Sequence, residues 1–288
     1  MDRKFWLTLL LGSLYLPYLN AASNVAEPLN ACNMWVGVMP DARWRFEALV
    51  IETALELGQK EYGPCPLSIH RNSISIVASH QMLLSGKRLQ LESSEHYPPD
   101  HAGSKGFHWM TNPYVSGFLG FRRLLTTSDK LPLFENIETL EDLKALRVGQ
   151  VEKWADTKIY RDNGFKVAGS ANFDTIWKML IVGRFDYLPL GISEVEEVRQ
   201  KYLDQIPDLV VVPNIVLYYD FPVYVLVSPP HKALADRLRF GFDRMHDTGL
   251  GDALLKAQSL RYSFDPNDDN TRLFVIDGSD VPSLLNTP

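Results

Sequence analysis

Positive charge is scarce in this chain and nowhere concentrated. Lys and Arg number 29 against 35 Asp and Glu, giving a formal net charge of −6, and no basic run exceeds a dipeptide such as Arg122-Arg123. A surface that tracks phosphates needs clustered cations, so nucleic acid is excluded as a partner. Cysteine is scarcer still, with two residues, Cys32 and Cys65, and no Cys-x-x-Cys. Also missing are a Gly-x-Ser-x-Gly elbow, a His-Glu-x-x-His helix and a phosphate-binding glycine loop. Their absence leaves no support for an enzyme or for a cofactor. Seven histidines are scattered, and His70, His80, His96, His101 and His108 lack regular ligand spacing, so no metal site is expected. There is no low-complexity run and no repeat of fixed period. After the N-terminal stretch, nothing is long and apolar enough to cross a bilayer.

What is present is a chain of 288 residues, 45% hydrophobic and 22% charged, enough for one large domain or two lobes. It opens with a charged start (Asp2-Arg3-Lys4), an apolar stretch from Phe5 to Leu19, and the small residues of Asn20-Ala21-Ala22-Ser23. This is the three-part pattern of a secretory signal peptide over residues 1–22. The stretch is interrupted by Gly12 and Pro17 and is shorter than the roughly 20 residues of a membrane span. An exported, periplasmic, soluble mature protein is therefore expected. In that compartment an even cysteine pair invites a disulfide. The rival is lipidation of Cys32, behind Leu29-Asn30-Ala31, although that site lies well past the apolar stretch.

Along the chain, strand-type and helix-type patterns alternate. Met34–Met39 reads as a strand, Ala42–Leu57 as a helix ended by Gly58, Pro66–His70 as a strand, Ile74–Leu84 as a helix and Leu89–Glu92 as a third strand. That is β-α-β-α-β, the pattern of a parallel sheet with right-handed crossovers. Ser93–Gly117 reads as a loose loop, and Phe118–Thr126 as a strand leading out of the first unit. A second alternation follows. It has helices at Thr139–Leu146, Ala155–Asp162, Phe173–Val182 and Ile192–Ile206, and strands at Arg147–Val151, Phe165–Ala168 and Phe185–Leu190. Leu209–Val212 and Val216–Tyr219 read as two strands parted by the turn pair Pro213-Asn214. The apolar strand Phe221–Ser228 and helices at Lys232–His246 and Leu250–Gln258 come next. The polar tail from Asp265 reads as loosely packed.

Six pieces, in order, carry a resemblance: EALVIETALELGQKEYG, PLFENIETLEDLKALRVGQ, WADTKIYRDNGFKV, FDTIWKMLIVGRFDYLPLGISEVEEV, FPVYVLVS and KALADRLRFGFDRMHDTGLGDALLK. The chain resembles the extracellular solute-binding proteins of family 3, the amino-acid-type receptors of ABC importers, over most of residues 34–259. The resemblance implies an α/β, two-lobed periplasmic-binding-protein fold of type II. Each lobe would be a mainly parallel sheet flanked by helices, and two crossing strands would join them. Lobe one would be residues 23–122 plus 221–288, and lobe two 123–220. It further implies a monomer that captures a small molecule, such as an amino acid or small organic anion, and delivers it to a membrane permease. The alternative is a sensing or partner-binding module of the same fold.

The resemblance also says where ligand groups should stand, and here the sequence departs from it. The family's Thr-x-x-Arg should fall within Met110–Tyr114, where there is no Arg. Its acid after the Gly-x-x-Asp strand should fall at Gly191, with Glu194 three residues later. The candidates are therefore Arg122 at the crossing into lobe two, Trp154 and Asp156 where a strand meets a helix, Trp109 and Tyr114 in the polar loop, and Glu194. Each has a plain structural reading beside it. Arg122 could form an ion pair, Trp154 could pack under its loop, and Asp156 or Glu194 could cap a helix. In the implied fold the strands that follow Cys32 and Cys65 are parallel neighbours, which places the two cysteines within reach of a disulfide.

Overall fold

The computed structural model describes residues 31–37, 41–72, 74–95, 106–261, 270–276, 278, 279 and 281. The expected signal peptide lies outside these residues, as do Leu29 and Asn30 of the alternative lipidation site, whereas Cys32 itself is engaged in a disulfide with Cys65, which leaves no thiol for a lipid. The first lobe begins β1 (Cys32–Trp35), α1 (Asp41–Leu57), the short α2 (Gln59–Tyr62), β2 (Leu67–His70), α3 (Ile76–Ser85) and β3 (Leu91–Ser94). β1 runs parallel to both β2 and β3. α1 forms because Phe46, Val50, Ile51, Ala54 and Leu55 recur at helical spacing, and all of them are buried. α3 starts where the Ser75 hydroxyl accepts the Ala78 amide at 3.2 Å, and it stops at Gly86, whose φ of 64° suits glycine.

The stretch expected to be loose instead holds β4 (His108–Thr111) and α4 (Pro113–Leu119). β4 has little intrinsic signal because its strand partner among the described residues, β10, is remote in sequence, and Pro113 at the first helical position starts α4. β5 (Phe121–Thr127) then crosses to the second lobe, followed by a 3₁₀ turn at Ser128–Phe134. The second lobe continues α5 (Leu140–Ala145), β6 (Arg147–Val151), α6 (Thr157–Asp162), β7 (Lys166–Ser170), α7 (Phe173–Ile181), β8 (Leu188–Gly191), α8 (Val195–Tyr202) and β9 (Leu209–Tyr218). A reciprocal Thr139–Asp142 capping box starts α5, and the Asn172 side chain caps α7.

β9 is one strand, not two. Pro213 and Asn214 (φ 57°) sit in an irregularity where the pairing with β5 slips between Arg123 and Leu125. A bulge accommodates a proline that has no N–H to give the ladder. The chain returns through β10 (Tyr224–Val227) into α9 (Lys232–Asp247) and α10 (Leu250–Arg261), and ends in β11 (Arg272–Val275). The tail thus contributes a strand, and it joins the second lobe's sheet, not the first: β11 lies parallel to β9, with Arg272 opposite Ile215.

The two sheets are built alike. The first has the order β2-β1-β3-β10-β4, with β10 antiparallel to its neighbours. In the second, β6 pairs with β7 and is bonded to the segment leading into β8 (Gly149 N–H to Tyr187 O, 2.8 Å), while β5 is antiparallel to β8 and β9. Each lobe thus takes its fourth strand from the chain that has just crossed. The crossing segments run side by side, with Phe121 opposite Tyr218. One hydrophobic cluster extends from Val50, Ile51 and Leu91 through Phe121 and Tyr218 to Leu143 and Val148. α1 packs on α9 so closely that a Cβ at Gly241 would sit 2.1 Å from the Ala54 carbonyl oxygen.

Cys32 and Cys65 form the disulfide, with Cα atoms 5.5 Å apart and a sequence separation of 33. Opening a loop of this length should cost roughly 3–4 kcal/mol. Denaturant unfolding of the mature protein with and without reductant is expected to show that loss. Identical midpoints would mean that the bond adds nothing to stability.

Candidate functional site

Arg122 lies at the start of the crossing strand β5, opposite Gly191 on β8 and Leu217 on β9. The side chain is only 4% exposed, so its charge must be met by protein. Two carboxylates meet it. Asp156 precedes α6, where the chain turns tightly after β6: the Trp154 amide and the Thr157 hydroxyl both donate to the Val151 carbonyl. Asp156 makes no capping bond to α6. Its Oδ2 instead stands 3.6 Å from Arg122 Nη2 and accepts the Tyr219 hydroxyl at 2.7 Å. Glu194 lies 3.5 Å from Arg122 Nη1, and its Oε1 accepts the Gly191 amide at 3.0 Å. A Cβ at Gly191 would come within 2.6 Å of that oxygen, so a side chain there would displace the Glu194 carboxylate. Glu194 thus folds back over this backbone, with its carboxylate beside Gly191.

Aromatic rings complete the enclosure. The Arg122 guanidinium lies 5.2 Å from the ring centroid of Tyr219 and 4.5 Å from that of Phe221. Burial pulls the guanidinium down. Tyr219, Asp156, Glu194 and Tyr160 outweigh it and hold Arg122 above its ordinary value. Burial drives the Tyr219 hydroxyl far up, against the pull of Arg122, so it stays protonated and donates. One cation thus faces two buried carboxylates. Its Nε and Nη2 edge carries no hydrogen bond.

From the first lobe, Arg43 on α1 bonds Glu47 at 3.0 Å and also pairs with Glu95. Burial lowers Arg43, but Glu95, Glu47 and Glu194 together raise it. Glu194 belongs to the second lobe, so its field reaches across to the first. Burial pushes the Glu47 carboxyl up, partly offset by Arg43.

The structure thus gathers three of the six candidates, Arg122, Asp156 and Glu194. The other three stand apart. Trp154 packs on Phe173, ring centroids 5.8 Å apart, beside the second lobe's core. Trp109 meets Tyr224 edge-on at 5.7 Å in the first lobe's sheet. Tyr114 is 4% exposed beneath α10, where a Cβ on Gly251 would overlap its ring. Tyr219 and Phe221 escaped the sequence reading, although the run Tyr218-Tyr219-Asp220-Phe221 at the second crossing was a usable signal. Two surface hollows, of about 440 and 470 Å³, lie elsewhere. One is beside Trp44, Leu49 and Ile69, and the other is beside Lys130, Ile181 and Pro207. Among the described residues no group of three His, Cys, Asp or Glu could hold a metal ion. Nor is any described helix long and apolar enough to cross a membrane.

These lobes, crossing strands and buried interlobe charges define the class: the fold is that of the two-lobed, type II periplasmic binding proteins. An ancestral arginine-binding protein bound to arginine is similar at 16% identity, over 81% of this chain and 99% of that one, with a TM-score of 0.50. The GluR0 ligand-binding core in complex with L-glutamate is similar at 16% identity, over 79% and 97%, TM-score 0.52. A double mutant of the VFT2 domain of Bordetella pertussis BvgS is similar at 15% identity, over 79% and 93%, TM-score 0.52. Such identities show the fold alone. No family model and no curated protein matches the chain.

Removing the cation should leave two buried carboxylates without their partner. Arg122→Ala is expected to cost about 3–5 kcal/mol in denaturant unfolding. Asp156→Asn, which keeps an acceptor for Tyr219, should cost less. Equal, small losses for both would mean that solvent reaches the cluster.

Proposed function

We propose that the chain is an exported solute-binding protein that captures a small polar molecule between two lobes and hands it to the membrane permease of an ABC importer. The lobes are residues 23–122 with 221–288, and 123–220, with β11 reaching over to the second sheet. The mature protein is a periplasmic monomer beginning after residue 22, and its role is binding, not catalysis.

The observation that supports this most is the edge of Arg122 that makes no hydrogen bond. Neither Nε nor Nη2 of the guanidinium fork is hydrogen-bonded, Asp156 Oδ2 standing 3.6 Å from Nη2 as an ion-pair partner, although the side chain is buried beside the crossing strands. That edge fits a carboxylate, which a guanidinium holds with two parallel bonds. Asp156 and Glu194 on the same guanidinium offer acceptors for an ammonium group. A zwitterion such as an amino acid satisfies both halves, and ligands of this kind are bound by the arginine and glutamate complexes of the same fold. Because the cluster is covered, a solute reaches it only through the open form, and closure follows by hinge motion at the crossing strands.

A thermal-shift screen of the mature protein against amino acids and small organic acids tests the proposal. A true solute at 100 times its Kd should add about 2.7 kcal/mol of stability. Glu194→Gln, which keeps its size, should weaken that solute's binding about tenfold or more while the protein stays folded. A screen without a hit at millimolar concentrations would overturn the proposal.

A further inference from the structure

A second contact joins the lobes, and it involves no solute. Glu197 lies in the first turn of α8, in the second lobe. Its Oε1 accepts the backbone N–H of Asp41 at 2.8 Å and its Oε2 accepts that of Ala42 at 2.8 Å. These are the first two amides of α1, in the first lobe.

An α-helix leaves its first amides without intrahelical acceptors, and a side chain next to them in sequence commonly supplies one. In α1 the local carboxylate is engaged elsewhere. Asp41 accepts from the Trp44 indole at 3.1 Å and pairs with Arg71 at 2.7 Å and Arg45 at 3.3 Å. The two amides are taken instead by a carboxylate 156 and 155 residues away in sequence. Three residues before Glu197, Glu194 adds a longer-range pull on Arg43 of α1. Both attractions act between the same two helices, one on each side of the cleft.

We infer that Glu197 is a latch. Its carboxylate, seated on the N-terminus of α1, holds the lobes closed when no solute is bound. Opening breaks two charge-assisted hydrogen bonds and the favourable placement of an anion at a helix N-terminus. Glu197 is itself exposed, so the contact is screened by salt and weak enough to release. It biases the lobes toward the closed form by about 5- to 30-fold (about 1–2 kcal/mol). A solute that enters only the open form then binds with an apparent affinity lowered by the same factor. The inference rests on the hinged two-lobe reading above but on no particular ligand.

The test uses the mature full-length chain with no solute added, by small-angle scattering and amide hydrogen exchange. Wild type should be compact, with the Asp41 and Ala42 amides protected. Glu197→Ala should raise the open population and speed exchange at those two amides by about 5- to 30-fold. Interior amides of α1, Val50 to Ala54, should be unchanged, which shows that the lobe stays folded. Glu197→Lys, placing a cation on the helix N-terminus, should open the protein further. Equal scattering and exchange in wild type and Glu197→Ala would overturn the latch, as would a wild type already open. A solute screen without hits would sink the transport proposal and leave this measurement untouched, because no solute takes part in it.

Discussion

A guanidinium buried where two strands pass between lobes has to be neutralised on the spot, and Arg122 draws two counter-charges and a pair of aromatic rings from three separate stretches of chain. Asp156 comes from the turn before α6, Glu194 from the turn after β8, and the rings of Tyr219 and Phe221 from the second crossing. A buried ion pair repays its desolvation only when its geometry and hydrogen bonds are good. Here the Gly191 amide and the Tyr219 hydroxyl each satisfy one carboxylate oxygen, which fixes both acids. Nε and Nη2 of Arg122 make no hydrogen bond.

That cluster sits at the natural fulcrum of the molecule. β5 and β9 pair along their length and β11 adds a strand to the outer side of β9, so the crossing is broader than two isolated strands. The C-terminal segment braces it through further bonds. Ile276 N–H donates to Tyr218 O at 2.7 Å, and Arg272 donates to the Ile137 carbonyl at 2.6 Å. The interlobe contacts farther out, Glu197 on α1 and Glu194 toward Arg43, then decide how the cleft rests.

Much of the fold was legible in the sequence because each lobe alternates strand and helix with ordinary punctuation. Gly86, the Thr139–Asp142 box and the Asn172 cap fall where local chemistry puts them. β4 escaped because four residues, His-Trp-Met-Thr, carry no period, and their strand is defined by hydrogen bonds to β10, more than a hundred residues away. Pro213-Asn214 read as a turn because both residues favour turns, whereas the flanking pairings with β5 carry the strand through as a bulge. β11 escaped for the same reason as β4: its short apolar run becomes a strand only against β9.

For the site, the sequence by itself determined the inventory: a cation at the lobe crossing, an Asp at a strand-to-helix turn, and a glycine in place of the usual acid with a Glu three residues on. It also offered a single possible disulfide pair, Cys32 with Cys65, while leaving lipidation of Cys32 as the rival that the structure then decided against. Only the tertiary structure decided that Arg122, Asp156 and Glu194 converge while Trp109, Tyr114 and Trp154 do not. Residue type and spacing are local, whereas convergence depends on which faces of β5, β8 and the second crossing turn toward one another. The same holds for Glu197. In sequence it is one acidic residue among several in the first turn of α8, and only the approach of the lobes brings it onto the free amides of α1.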